Sequence, residues 1–305
     1  MSRILPSWRP GRTREAIVAF LEAAGSLPVE DRVAFFDNDG TLWCERPRYV
    51  QLDFFLDTLR SRVTADPGLR DRPEFAALLD GDAGQVAALG LPRIALALAS
   101  LFEGMSPEEF AAAARAFLRG AVSGRYRPAS TLVYQPMLEL IAQLRRLDFT
   151  VGIVTGGGAD FLRAVSQELY GVPPELVVGS LIEYDVTTDA RGATQLRRTA
   201  RLLGAANEGP AKVSNIQAQL GRRPLLAAGN SAGDLEMLQW AASGPGPGLA
   251  LLVDHDDAER EHAYESRAET VANAEPIAEV AARSGWTVVS MATDWESVFP
   301  SSPAG

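Results

Sequence analysis

Two aspartates separated by one residue, Asp37 and Asp39, close the apolar run Val33–Phe36 and are followed at once by Gly40 and Thr41. Carboxylates at i and i+2 after a strand cannot both be buried without partners. A turn at Gly40 lets both point into one crevice. One can then attack a phosphorus while its neighbour gives a proton to the leaving oxygen. Attack by an anion on a dianionic phosphate needs positive charge close by, from a divalent ion, a lysine or backbone N–H groups. A single Asp in this setting also reads as an Asx turn capping the next helix. Two of them with Gly-Thr, flanked by Phe and by Leu-Trp, favour chemistry.

Later segments supply what such a pair requires. Thr155-Gly-Gly-Gly158 offers a hydroxyl and unhindered amides at the end of a second apolar run, an anion cradle if it opens a helix and otherwise only a tight turn. Of the 29 basic residues 28 are Arg, and the one Lys is Lys212. Arg is a planar fork and Lys a compact point charge, so the two diverge most where one small anion must be met. The surviving lysine is therefore either chance or function. Asn230 and Asp234, in Gly-Asn-Ser-Ala-Gly-Asp-Leu, give two hard oxygen donors of the kind Mg²⁺ prefers.

In this order, Asp37-Asn-Asp-Gly-Thr41, Thr155, Lys212 and Gly229-Asn-Ser-Ala-Gly-Asp234 resemble the four motifs of the haloacid dehalogenase (HAD) phosphatases, nearest the phosphoserine-phosphatase-like branch. The resemblance spans about residues 31–41 and 133–253. It implies Asp37 as nucleophile and Asp39 as general acid and then base, with the Asp39 carbonyl on Mg²⁺. It further implies Thr155, the Gly156 amide and Lys212 around the phosphoryl group. Asn230 and Asp234 would complete the metal shell with Asp37, directly or through water. The last motif usually begins with an acid, so Asn230 removes one negative charge and should weaken the hold on Mg²⁺. An acid at Asp39 is unlike the dehalogenases and phosphonatases of the superfamily, and the transport ATPases carry Asp-Lys-Thr-Gly instead. Phosphate monoester hydrolysis is the activity implied.

The elements that must hold these residues read as a doubly wound α/β fold. Short Val/Ile/Leu-rich runs at 33–36, 150–154, 176–180, 225–228, 249–253 and 287–290 alternate with helical patterns, the sign of a parallel sheet covered on both faces. Ligands bind such sheets at the carboxyl ends of the strands, where every polar cluster named above falls. Residues 45–128 carry helical spacing only and predict an all-helical cap inserted after the first strand. The expected division is 1–43 with 129–305 as core and 44–128 as cap. Residues 181–199 alternate like a hairpin turning near Asp189–Gly192.

Composition narrows the partners. The 305-residue chain is 47% hydrophobic and 22% charged, with net charge −10, which is globular and a poor match to nucleic acid or an anionic membrane. No apolar stretch approaches a membrane span of roughly 18 residues, and Glu22 ends the first apolar run too early for a signal peptide. The expectation is a soluble cytoplasmic enzyme acting on a small-molecule phosphate ester.

Three further signals admit two readings each. Gly229-Asn-Ser-Ala-Gly233 also fits the nucleophile elbow of a serine hydrolase, with Ser231 attacking and Asp254 and His255 or His262 following. That reading leaves Asp37, Asp39 and Lys212 unexplained. Asp254-His-Asp-Asp257 is a second metal site or, as preferred, a solvated acidic turn starting a helix, and the lone Cys44 reads as packing. Glu45, Arg46, Arg48 and Tyr49 open the insertion as a charged helix start or as contacts to a substrate's leaving group, Glu45 and Arg48 foremost. A non-enzymatic alternative keeps the crevice as a phosphate-binding regulatory site with little turnover.

Overall fold

The computed structural model describes residues 4–120, 128–266 and 275–301. Seven strands form one sheet in the order β4-β3-β2-β1-β5-β6-β7, with β1 (Val33–Phe36), β2 (Thr150–Gly158), β3 (Val177–Thr188), β4 (Thr194–Leu203), β5 (Leu226–Gly229), β6 (Leu249–Asp254) and β7 (Thr287–Ser290). All neighbours pair in parallel except β3 and β4. All four residues of β1 are buried. Ala34 and Phe36 face one apolar core, Val33 and Phe35 the other. A strand hydrophobic at every position is what burial on both faces demands.

Helices cover the two faces. α1 (Arg12–Ala24) precedes β1, and among the described residues six α-helices lie between β1 and β2, the first five being α2 (Val50–Ala65), α3 (Pro73–Asp80), α4 (Ala83–Leu89), α5 (Leu91–Ser100) and α6 (Pro107–Arg119). α7 (Gln135–Arg146) leads into β2; α8 (Ala159–Arg163) and α9 (Ser166–Tyr170) follow it. α10 (Pro210–Leu220), α11 (Leu235–Ala242), α12 (Ile277–Ser284) and α13 (Met291–Asp294) complete the set. α1, α7 and α8 lay Ile17, Leu140 and Phe161 on one face, whereas α10, α11 and α12 lay Ile216, Leu238 and Val280 on the other. The doubly wound α/β reading is thus the observed architecture. Among the described residues no single helix is long and apolar enough to cross a membrane.

Local chemistry accounts for the inserted helices. α6 starts with a capping box, the Ser106 hydroxyl accepting from the Glu109 amide and the Glu109 carboxylate accepting from the Ser106 amide. Pro107 sits at its first turn, where a missing N–H costs nothing. Its buried Phe110, Ala114 and Leu118 recur every fourth residue, the spacing that builds one apolar stripe. That stripe meets Phe54 of α2, which contacts the rings of Phe55, Phe102, Phe110, Phe117 and Phe161 at centroid distances of 5.0–5.8 Å. Because Phe161 belongs to α8, the aromatic cluster joins the inserted helices to the sheet's own core.

Two features depart from the sequence pattern. The second apolar run does not stop at Val154: β2 continues through Gly158, with a register shift against β3 between Val154 and Gly158. The hairpin is longer than residues 181–199, although its turn at Asp189–Gly192 falls where expected. Its second strand also bonds to the inserted helices, since Gly104 N donates to Arg198 O (2.8 Å) and Arg198 N to Met105 O (2.9 Å). Phe54→Ala removes the ring at the centre of the cluster and should lower stability by about 3–5 kcal/mol, read from urea unfolding. A loss below about 1 kcal/mol would show that the cluster does not couple the two parts.

Candidate active site

Strands β2, β1 and β5 are adjacent, so the residues at their carboxyl ends are neighbours in space. Asp37 follows β1 and donates its amide to Ala228 O of β5 at 2.8 Å. Its Oδ1 accepts from Lys212 Nζ at 2.7 Å and its Oδ2 from Thr41 Oγ1 at 3.3 Å. Lys212 Nζ also donates to Asp234 Oδ1, again at 2.7 Å. Asp39 Oδ1 accepts from Trp43 Nε1 at 2.9 Å and Oδ2 from Thr155 Oγ1 at 3.4 Å. Four segments far apart in sequence therefore converge on one point.

Each segment has a local reason for its shape. The chain after Asp39 turns at Gly40, with φ of +76°, and a Cβ there would fall 2.0 Å from Asn230 Nδ2; only glycine fits. Asp234 secures the loop after β5 by accepting from the amides of Asn230 and Ser231, both at 3.1 Å. Lys212 lies at the start of α10, which is tied to the same loop through Gly209 N donating to Gly233 O at 3.0 Å. Thr155 Oγ1 accepts from Gly157 N at 3.0 Å, and Asn207 Nδ2 holds the Thr155 carbonyl at 2.9 Å.

The site is rich in carboxyl groups and poor in cations. Asp37, Asp39, Glu45 and Glu208 line one cavity of about 420 Å³ with Lys212, and Asp234 touches the same ammonium. Burial alone would lower the Lys212 pKa, but the carboxylates of Asp234, Asp37 and Glu208 outweigh it and hold the lysine charged. Burial pushes the Asp37 carboxyl well above its usual range, the Asp234 carboxylate adds to this, and Lys212 opposes both. Burial also raises Asp39, against hydrogen bonds from Trp43 and Asn38. Glu208 is pushed up to about 7, chiefly by burial. One ammonium does not balance this set, and a second positive charge would stabilise it.

The donors present fit a hard divalent cation. Asn230 Nδ2 is turned to Glu45 Oε1 (3.2 Å) and Ser266 Oγ (3.3 Å), which leaves its Oδ1 for the crevice. The Asp37 carboxylate, the Asp39 carbonyl and this amide oxygen make an oxygen set suited to Mg²⁺. Among the described residues no three His, Cys, Asp or Glu side chains alone form a metal site. Asp234 orients the loop through Oδ2 and the lysine through Oδ1, and Oδ1 keeps a further lone pair for a cation or its water.

The remaining expectations divide. Gly156 lies in the same cavity as Asp37; a Cβ on it would meet Glu208 Oε1 at 1.7 Å. Glu45 is buried there too and accepts from Tyr264 Oη at 2.8 Å as well as from Asn230. Arg48 is not brought in, because its Nε pairs with Asp53 Oδ1 at 2.6 Å. No serine triad is assembled. Ser231 Oγ accepts from Gly233 N at 3.2 Å, His255 bonds elsewhere, and His262 is exposed. The acidic turn at Asp254–Asp257 is corrected: no helix starts there, and His255 and Asp257 are buried.

His255 Nε2 lies 2.8 Å from Gly40 O, and its Nδ1 lies 3.3 Å from Glu261. It thus braces the turn after the two aspartates. Cys44, expected as packing alone, is buried but donates through Sγ to Glu261 Oε1 at 3.0 Å. Glu208, Gln51, Asn207, Glu261 and Tyr264 have no local motif that would single them out. Glu208 alone had a cue, four residues before the one lysine.

A pH test follows from Glu208. Its folded pKa of about 7 lies above its ordinary 4.5, so its contribution to stability is full below about 4.5 and is lost as pH rises through 7. Glu208→Gln should match the wild type at pH 5 and exceed it at pH 8 by on the order of 2 kcal/mol, read from urea unfolding at each pH. A variant less stable at pH 8 would contradict a buried, destabilised carboxylate.

Comparison with known proteins gives the family and the fold. A model of the haloacid dehalogenase-like hydrolase family matches residues 34–239. No curated protein matches the chain. Among solved structures, a protein of unknown function from Bordetella pertussis Tohama I is similar at 19% identity and a TM-score of 0.52, over 85% of this chain and 97% of that one. A conserved, functionally unknown protein from Anaerococcus prevotii DSM 20548 is similar at 14% identity and a TM-score of 0.57, over 94% of both chains. A probable phosphoserine phosphatase from Vibrio cholerae is similar at 14% identity and a TM-score of 0.42, over 86% of this chain and 70% of that one. With its family model spanning both aspartates, Thr155, Lys212 and Asp234, the chain belongs to the haloacid dehalogenase-like hydrolases.

Proposed function

We propose that this hydrolase is a Mg²⁺-dependent phosphatase acting on a small phosphate monoester through a phosphoryl group carried on Asp37. The observation that carries this reading is the convergence of Asp37 and Asp39 after β1, Thr155 of β2 and Asp234 after β5 around Lys212 of α10. Bound Mg²⁺ would supply positive charge to the phosphoryl oxygens and to the Asp37 carboxylate. The Asp37 carboxylate, the Asp39 carbonyl, Asn230 and Asp234, the last directly or through water, are the residues that would hold it.

The chain's own groups divide the work. The Asp37 carboxylate attacks phosphorus, and the bond from phosphorus to the ester oxygen breaks. Asp39, whose carboxyl burial holds above its usual range, gives its proton to that departing oxygen. Lys212, Thr155 and the amide of Gly156 hold the charge that builds on the phosphoryl oxygens. Asp39, now ionised, takes a proton from water as the water attacks the phosphorus on Asp37. Orthophosphate leaves and Asp37 is restored. Glu45 keeps the Asn230 amide oriented toward the cation. The inserted helices roof the cavity and favour a small ester over a folded protein chain.

Phosphate release from an aryl phosphate such as p-nitrophenyl phosphate tests the reading. Repeated turnover should require Mg²⁺, stop with chelator, and fall on the order of 10³-fold or more in Asp37→Asn. Turnover that survives both chelator and Asp37→Asn but is lost in Ser231→Ala would contradict it. Phosphate binding without turnover of any ester would favour a regulatory role.

A further inference from the structure

The walls of the cavity above the carboxylates say more than its floor about what the ester carries. We infer that the substrate is the phosphate monoester of an extended apolar alcohol, a conclusion that rests on the phosphatase reading of the floor.

The roof over Asp37 is hydrocarbon. Leu52 and Phe55 of α2, Leu78 of α3, Val86 of α4 and Ile94 and Leu98 of α5 all face the 420 Å³ cavity. Lys212 is its one basic side chain among the described residues, and both Asp37 and Asp234 engage it. Tyr49 also lines the wall and is 39% exposed, and most of the other polar groups are committed. Glu45 accepts from Asn230 and Tyr264, Gln51 Oε1 accepts from Gly158 N at 2.9 Å, and Ser231 Oγ accepts from Gly233 N. Glu208 lies against Gly156, beside the phosphate cradle.

An amino-acid ester would need a cation for its carboxylate, and among the described residues lining the cavity Lys212, already engaged by two carboxylates, is the one basic side chain. A sugar or nucleotide would bury hydroxyls or base edges against leucine and phenylalanine, leaving polar groups without partners. An apolar chain meets no such cost and gains by leaving water.

The cavity also continues. A second chamber of about 700 Å³ shares Gln51, Phe55, Leu91, Ala95, Gly156 and Gly157 with the first. Its walls include Phe102, Phe110, Phe161, Ile182 and Leu202. Its basic residue, Arg198, is ion-paired with Asp160 and lies over the Phe110 ring at 3.9 Å. At the junction Leu91 lines both chambers while remaining 42% exposed, a side chain that a bound apolar chain would dry. A phosphate held at Gly156 thus leads into a path lined by hydrocarbon, with Ala95 at the passage.

Calorimetric binding of methyl-, butyl- and octylphosphonate, and of the phosphonate analogue of phosphoserine, to the Mg²⁺-supplemented protein tests this without needing turnover. Values of kcat/KM for the matching phosphate esters are measured beside it. Affinity should rise about two- to fourfold per added methylene, with octylphosphonate at least tenfold tighter than butylphosphonate and tighter than the phosphoserine analogue. Ala95→Trp narrows the passage and should reduce the octyl-to-butyl affinity ratio at least tenfold; a ratio taken within one protein is insensitive to how much of it folds. Affinity that is flat with chain length, or highest for the phosphoserine analogue, overturns the inference. Rising affinity without hydrolysis of any ester would keep the ligand class and remove the phosphatase reading. Mg²⁺-dependent hydrolysis that prefers polar esters would do the reverse.

Discussion

Everything at the crevice depends on one ammonium placed between two buried carboxylates. Lys212 bonds Asp37 and Asp234 at equal distance, and removing it would leave two charges buried without a counter-ion, a loss of several kcal/mol. The same lysine cannot neutralise all five carboxyl groups around it. Burial raises the Asp39 carboxyl and is the largest cause of the rise that poises Glu208 near neutrality, while the surplus of carboxyl groups is what a divalent cation would offset. Charge imbalance here is the source of the chemistry.

The fold serves that imbalance by geometry. A central strand buried on both faces brings Asp37 to the sheet's carboxyl edge with β2 and β5 on either side. Thr155 and the loop of Asn230 and Asp234 arrive there by strand pairing alone, and α10 delivers Lys212 through its bond from Gly209 to Gly233. Above this rigid floor, the inserted helices share the Phe54 cluster with α8. Floor and roof are thus mechanically linked while differing in character, one charged and the other apolar. On the proposed reading, reaction type belongs to the first and selectivity to the second.

Much of the floor was legible in the sequence because its signals are local. Asp-Asn-Asp-Gly-Thr needs no distant partner to be read, and Lys212 stood out as the only lysine among 29 basic residues. The strand pattern likewise located six of the seven strands, since burial on both faces leaves continuous apolar runs, and the alternation after Leu181 located the hairpin. Contacts made across the sheet were not legible. The acidic neighbours of His255 make it read as part of a solvated turn, although it is buried and bonded to Gly40, 215 residues away in sequence. Cys44 joins Glu261 by the same long reach. Arg48 sits near the aspartates in sequence, but a closer acid on α2 captures it. Helical spacing alone did not disclose that the roof is apolar toward the crevice, because that depends on which stripe of each helix turns inward.

The most direct test of the central claim is to trap phosphate on the chain. The protein is mixed with an ester and Mg²⁺, quenched in acid, reduced with borohydride and mapped by peptide mass spectrometry. The account predicts an acid-stable, reducible acyl phosphate at Asp37, seen as reduction of that one carboxyl and absent in Asp37→Asn. Label on Ser231, or steady hydrolysis with no carboxyl ever phosphorylated, would contradict it.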